Sequence, residues 1–351
     1  MSSHNKFTGF VGTYTKGDSK GIYSFTLDTE NKKISDVKVA AELENPTYVA
    51  ISNDNQYLYS VIKEGEQGGV AAYSILENSG TLERKNIQLL PGSSPCHVSV
   101  DSGNHFVLSA NYHKGNISAY LTNKDGGIHP AYSVIELQGS GPSERQEKPH
   151  THYSGFTPDE KYAVVVDLGI DKLITYKLDD ENLTEVSSLS VKPGSGPRHL
   201  EFHPNGKYAY LMTELSSEVI ALEYHEEDGS FKELQYISAI PEDFTENSQG
   251  SAIHVSSDGR FVYAANRGHD SIAVFSINQE SGKLTFIEHT STEGSWPRDF
   301  ILDPTEKFLV ASNQESGNLV LYVRDTETGK LSLLQSDVAV PYPVCVKFLN
   351  Y

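Results

Sequence analysis

The residues best suited to chemistry in this sequence lie between positions 150 and 314. They are the pair in Pro149-His150-Thr151-His152, then Arg198-His199, Glu214, His254, Arg267, Arg298 and Gln314. A neutral imidazole is a suitable general base near pH 7. Arginine can stabilise an oxyanion or grip an anion through its forked donors. Glu214 beside Arg198 should have a lowered pKa, which makes it a weak base and a better orienting group. A His-x-His pair on a strand would put both rings on one face, which also suits a metal. No carboxylate follows at a ligand-set spacing, so no metal or cofactor is expected.

The elements that must position these groups are strands. No apolar stripe of helical period runs through the chain. Short β-rich runs, carrying 20 Tyr and 14 Phe, alternate with clusters of Gly, Asn, Asp and Ser. The runs repeat. Pro197-Arg198-His199-Leu200-Glu201-Phe202 matches Pro297-Arg298-Asp299-Phe300-Ile301-Leu302 at an offset of 100 residues, two units of about 50. Further copies begin at Pro46, Pro95 and Thr151, and Asp258-Gly259-Arg260-Phe261 marks another. Each unit reads as four antiparallel strands, the pattern of a propeller blade. Six copies are complete. A seventh is split: Pro343–Phe348 supplies a first strand, and Phe7–Gly12 with Gly21–Phe25 the second and third. Such a blade closes the ring and removes the free sheet edge. The expectation is an all-β, seven-bladed propeller as one domain over 1–351, where length alone suggests two. A pair of β-sandwiches is the alternative, but sandwiches need no 50-residue period. One Trp in the chain disfavours WD-type blades, and only two Gly-Gly pairs disfavour kelch blades.

In a propeller the first strand of each blade lines the axial channel. The start of that strand and the end of the second lie on one face, beside the axis. The first ring reads Thr47, Cys96, His152, Arg198, Ser251, Arg298 and Val344. The second reads Tyr14, Lys63, Tyr112, Leu168, Glu214, Arg267 and Gln314. Three of only seven arginines fall on these rings. Convergent polar groups in a concave mouth form the default site hypothesis. His199 and Asp299 sit one position deeper, and His97, His199 and His254 read as channel fillers. Asn111, Asn266 and Asn313 recur at the end of the second strand and read as turn-holders. Cys96 and Cys345 read as small buried residues. Residues 139–148 read as a flexible loop near the site.

The formal net charge of −19 argues against nucleic acid and anionic membranes as partners. Two distant cysteines give no disulfide framework. The opening MSSHNKF lacks an apolar leader core, and no run approaches a membrane span, so a cytoplasmic protein is expected.

With these residues placed, the chain resembles the lactonase family of seven-bladed propellers, the 6-phosphogluconolactonase/3-carboxymuconate cyclase group. The resemblance rests on Pro95-Cys96-His97-Val98-Ser99-Val100, Pro149-His150-Thr151-His152, Gly196-Pro197-Arg198-His199-Leu200, Ser257-Asp258-Gly259-Arg260-Phe261, Ala265-Asn266-Arg267-Gly268-His269-Asp270 and Asn313-Gln314. It implies a catalytic set of His150, Arg198, Glu214 and Arg267. The implied reaction is hydrolysis of a small anionic sugar lactone, 6-phospho-D-glucono-1,5-lactone, in the pentose phosphate pathway. His150 is then the expected water-activating base, and Arg198 or Arg267 the oxyanion partner. The remaining arginines, Arg298 among them, are expected to hold the phosphate, with His152, His199, His254 and Gln314 expected in substrate contact. A carboxymuconate cyclase-like isomerase and a non-enzymatic binding scaffold are the two rival readings. The acidic body repels an anion only at long range, and that repulsion is screened beyond about 8 Å at physiological salt. A cluster of arginines at one mouth would then decide binding locally.

Overall fold

Each sequence repeat folds as four antiparallel strands, and seven such sheets form the ring. The computed structural model describes residues 5–76 and 80–351; residues 1–4, part of the segment read for a leader, lie outside the described residues, as do 77–79. The innermost strands are Val49–Ile51, His97–Val100, Thr151–Phe156, Pro197–Phe202, Gln249–Val255, Pro297–Leu302 and Pro343–Phe348. The last of these pairs with Lys6–Thr13, so both termini build one blade, as expected.

The strands follow from their composition. The second strands Tyr208–Thr213 and Phe261–Arg267 are buried at every position, because each is covered by a neighbouring blade on both faces. β-branched and aromatic residues fill that double-sided interior well. The outermost strand Leu183–Ser190 is mostly exposed and correspondingly polar. Each apolar cluster joins two blades. One combines Tyr208, Tyr210 and Met212 with Ile253, Val262 and Phe275. Repeated tyrosines staple the same seams. The hydroxyls of Tyr59, Tyr210 and Tyr263 donate to the carbonyls of Gly126, Gly282 and Gly329 in the following blade, at 2.7–3.0 Å.

The turn joining the first two strands needs one residue with positive φ. Gly206 and Gly259 supply it directly (φ 71° and 68°), and Asn55 and Asn104 also fit. Glu160 and Glu306 occupy the same position at φ near 55°. Their carboxylates are used elsewhere, accepting from the backbone N–H of Ser102 and Ser257 in the preceding blade.

Where the first strands enter the ring, the ladder skips. Thr151 pairs with Asp167 and Tyr153 with Val166, so His152 is an extra residue. Arg198 is extra between Pro197 and His199, and Arg298 between Pro297 and Asp299. These are β-bulges, which bend a strand and re-aim a side chain. In a regular strand, adjacent residues face opposite sides. The bulge lets Arg298 face the mouth while Asp299 still enters the channel.

Candidate functional site

The mouth of the channel opens into a cavity of about 430 Å³, within the roughly 300–1,000 Å³ range of small-molecule sites. Its wall includes Tyr14, Thr47, Lys63, Cys96, Tyr112 and His152 from the two expected rings. Glu214, Arg267 and Arg298 complete that ring contribution, and Arg145 joins them from the segment read as a loop.

Glu214 is the hub. Its backbone is clamped between Gly196 O (2.7 Å) and the Gly250 N–H (3.1 Å). A Cβ at position 250 would sit 2.1 Å from Thr213 O, so only glycine permits this approach. The carboxylate accepts from Arg198 Nε at 3.2 Å and forms an ion pair with Arg267 Nη2 at 2.8 Å. Its other oxygen accepts from Arg145 Nη2. Burial alone would raise this carboxyl's pKa. Arg267, Arg198, His152 and Arg145 overcome that and hold it well below the usual carboxylate range. Glu214 is therefore an anion dedicated to organising arginines, with both oxygens committed to them.

The arginines divide by exposure. Arg198 is buried, and its Nη1 donates to Ser251 O at 2.8 Å, so it braces Glu214 from behind. Burial, then Arg267 and Arg298, push it down to about 9, still protonated at neutral pH. Arg267 lines the cavity. Its Nη2 donates to Gly250 O, its Nε to Gln249 O, and its plane lies over Trp296 at 5.5 Å. Those contacts leave Nη1 for a ligand. Arg298 donates to Gln314 Oε1 at 3.3 Å and lies over the Tyr14 ring at 5.3 Å. Among the described residues no carboxylate lies within ion-pair distance of it. Gln314 thus reaches the site through Arg298 and does not line the cavity.

His150 lies elsewhere than the expectation of a water-activating base required. Its ring stacks on Tyr112 at 4.2 Å and does not line the cavity. Nδ1 is 2.9 Å from Tyr112 O, and Nε2 is 3.1 Å from the Glu147 carboxylate. Both nitrogens are occupied. His152, the bulged residue, reaches the wall instead. Tyr112 contacts both rings of the pair, stacking on His150 and meeting His152 edge-on at 5.8 Å. Burial first, then the Arg198 charge, hold His152 well below the usual imidazole pKa, so it is neutral at pH 7.

His199 lies below the cavity, with His97, Tyr48 and Tyr153 within 6 Å by ring centroids. His254 is further along the channel, near Asp299 (3.8 Å) and Glu201 (4.0 Å). Neither lines the cavity, so substrate contact by these two is not what the geometry favours. Asn111, Asn266 and Asn313 donate to Ser93 O, Ala239 O and Thr292 O, on the segments entering their own blades. Cys96 is on the cavity wall with its thiol pushed up to about 11 by burial; Cys345 is buried and also free.

The imidazoles of His97, His152 and His199 are all lowered by burial, His97 to about 3. In an unfolded chain they would protonate near pH 6.5. Unfolding therefore takes up protons below pH 6.5, and stability is lost as pH falls from there. His97 alone should account for a loss of about 2 kcal/mol between pH 7 and pH 5. Urea unfolding at the two pH values checks this. The loss should shrink by about that amount in His97→Phe, on top of a pH-independent cost of leaving the Ser154 N–H unpaired. An unchanged pH slope in that variant would refute the account.

Residue 145 is the contribution that sequence reading missed. Residues 139–148, read as a flexible loop near the site, include a turn of 3-10 helix, Glu144–Gln146, closed by a capping box between Ser143 and Gln146. The Ser-x-x-Gln spacing was the available signal.

Comparisons agree with this architecture. The model of a family described as "Lactonase, 7-bladed beta-propeller" matches residues 8–348. The chain is 65% identical over 345 residues to the 6-phosphogluconolactonase of Bacillus subtilis (strain 168), covering 98% of this chain and 99% of that one. A solved structure from Lactobacillus plantarum is 44% identical with a TM-score of 0.95, over 98% of this chain and 100% of that one. The Pseudomonas aeruginosa periplasmic gluconolactonase is 31% identical with a TM-score of 0.93, over 98% and 99% of the two chains. Among the described residues, no helix is long and apolar enough to cross a membrane.

Proposed function

The chain belongs to the lactonase family of seven-bladed β-propellers, and from that premise we propose that it hydrolyses 6-phospho-D-glucono-1,5-lactone to 6-phospho-D-gluconate, a step of the pentose phosphate pathway. The observation that carries the reading is the gathering of four of the chain's seven arginines at the channel mouth, three of them on the buried carboxylate of Glu214 and the fourth, Arg298, on the cavity wall. Such a focus suits an anionic substrate despite the net charge of −19. The two free thiols suit the reducing cytoplasm, where we place the reaction.

Water adds to the lactone carbonyl while neutral His152 takes its proton. Negative charge gathers on the carbonyl oxygen and is met by Arg267, whose fork is held ready by Glu214 and Gly250 O. The ring C–O bond then breaks, and the imidazolium returns its proton to the departing ring oxygen. The new carboxylic acid ionises to solvent. Arg298, free of any carboxylate among the described residues, takes the phosphate through forked hydrogen bonds. Arg198 keeps Glu214 in register.

Freshly prepared lactone supplies the test. The protein should accelerate its hydrolysis well above the spontaneous rate, and Arg198→Ala should reduce that acceleration. A wild-type rate equal to background would reject the assignment.

A further inference from the structure

We propose that Arg145 is the residue that reads the 6-phosphate, and that Glu214 is the partner it gives up to do so. This deepens the reading of the site as a 6-phosphogluconolactonase and rests on it. The proposal concerns which lactones the enzyme prefers, phosphorylated or not.

The first observation is where Arg145 comes from. The other arginines of the mouth sit on the strand frame, at positions that recur in each blade. Arg145 sits on the connection from an outermost strand to the next innermost one. That connection spans 14 residues here (137–150), against three to ten in the other six blades. Long connections in a compact domain usually carry function. This one is held in place at both levels. Its capping box fixes the turn, and the wholly buried Gln146 donates to Leu168 O at 2.8 Å. Lys148 Nζ adds a hydrogen bond to His113 O. The segment is a strap with one side chain reaching inward over the cavity.

The second observation is how Arg145 is engaged. Its side chain keeps 41% of its exposure, whereas Arg198 and Arg267 keep 2% and 5%. A single nitrogen, Nη2, makes both of its contacts, to Glu214 and to the Tyr112 hydroxyl. Nε and Nη1 have no hydrogen-bond partner among the described residues. Three N–H donors are therefore unengaged, and both forked edges of the guanidinium, Nε/Nη2 and Nη1/Nη2, share the Nη2 that Glu214 holds, so a two-pronged grip on a phosphate requires that nitrogen to leave Glu214.

Glu214 also permits an exchange of partners. Arg198 and Arg267 already compensate that carboxylate in the buried interior. Arg145 is the partner it can lose without becoming an uncompensated buried charge. A phosphate dianion entering at the mouth offers Arg145 a stronger partner than a carboxylate shared among three arginines. Arg298 faces the same cavity and provides a second, fixed cation for that phosphate. Unphosphorylated gluconolactone offers no such partner. It gains nothing from Arg145, and the enzyme should discriminate against it.

Steady-state kinetics on 6-phosphoglucono-1,5-lactone and on glucono-1,5-lactone tests the idea in wild type, Arg145→Met and Arg145→Lys. The preference for the phosphorylated lactone, as a ratio of kcat/KM, should fall roughly 10- to 100-fold in Arg145→Met, the scale of a lost charge-assisted hydrogen-bond pair. The change should appear mainly in KM, and Arg145→Lys should restore part of it. Equal losses on both lactones would overturn the proposal, since they would mean that Arg145 only positions Glu214. An unchanged ratio would also overturn it. Thermal shift supplies a readout that does not need turnover. 6-Phosphogluconate should stabilise wild type more than gluconate does, and Arg145→Met should lose that difference. If wild type hydrolyses neither lactone yet shows this binding difference and its loss, the lactonase reading fails and the Arg145 assignment stands. If the binding difference is absent from wild type, the Arg145 assignment fails.

Discussion

Arg267→Ala should lower kcat on the phosphorylated lactone by about 10²–10³, the usual cost of removing one preorganised oxyanion donor, with a much smaller change in KM. Arg267 is the cavity-lining arginine whose position is fixed on every side. Nη2 is committed to Glu214 and Gly250 O, Nε to Gln249 O, and the plane to Trp296. Its remaining nitrogen can meet a developing charge without reorganising. Arg267→Lys should recover only part of the loss. A lysine offers a point charge and cannot hold Gly250 O, Glu214 and an oxyanion at once. Glu214 retains Arg198 and Arg145 in both variants, so the fold should survive, and thermal melting would confirm that. A kcat within a few-fold of wild type for a folded Arg267→Ala would remove Arg267 from the chemistry.

The sequence made the architecture readable because the repeat is carried by the residues that punctuate strands. Pro197 and Pro297 open equivalent strands, and Gly206 and Gly259 mark equivalent turns between first and second strands. Equivalent positions in a closed ring share one height above the axis. That is why a column of residues such as Glu214, Arg267 and Gln314 could be assigned to one mouth before any coordinates. What that column could not supply was depth and direction. A β-bulge costs one residue and leaves no mark in composition, so His152, Arg198 and Arg298 were indistinguishable from ordinary strand positions. The strict alternation of a strand placed His150 and His152 on one face. In the fold His150 precedes the strand, which starts at Thr151, and His152 is the bulged residue, so strict alternation does not govern the pair; His152 reaches the cavity wall and His150 does not.

Arg145 was hidden for the opposite reason. It lies outside the repeat, so no column contained it, although it is one of only seven arginines. The charge arithmetic changes with it. Arg84, Arg260 and Arg324 serve other parts of the molecule, the last two around Asp258. Three of the remaining four engage the buried carboxylate of Glu214, and Arg298 lines the same cavity with no carboxylate partner among the described residues. The mouth is therefore cationic by the excess of arginines over that one anion, on a body that carries net negative charge.

His152→Ala should cost about 10²–10⁴ in kcat, the range for loss of a positioned general base. His150→Ala should cost less than about tenfold, the size of a misplacement worth about 1.4 kcal/mol. Geometry separates the two histidines. His152 reaches the cavity wall, and the Nδ1 of its ring is buried without a protein partner. His150 has both nitrogens bound and contributes a stacking face that sets the Tyr112 ring. The pH profile adds an independent reading. A base must be unprotonated to act, so kcat/KM should hold steady as pH falls until the His152 imidazole protonates. Burial and the neighbouring arginines place that limb well below pH 6.5. The limb should vanish from the residual activity of His152→Ala and persist in His150→Ala. A larger loss in His150→Ala than in His152→Ala, with the acid limb gone from the former, would return the base to His150 and require Tyr112 and Glu147 to move aside in the substrate complex.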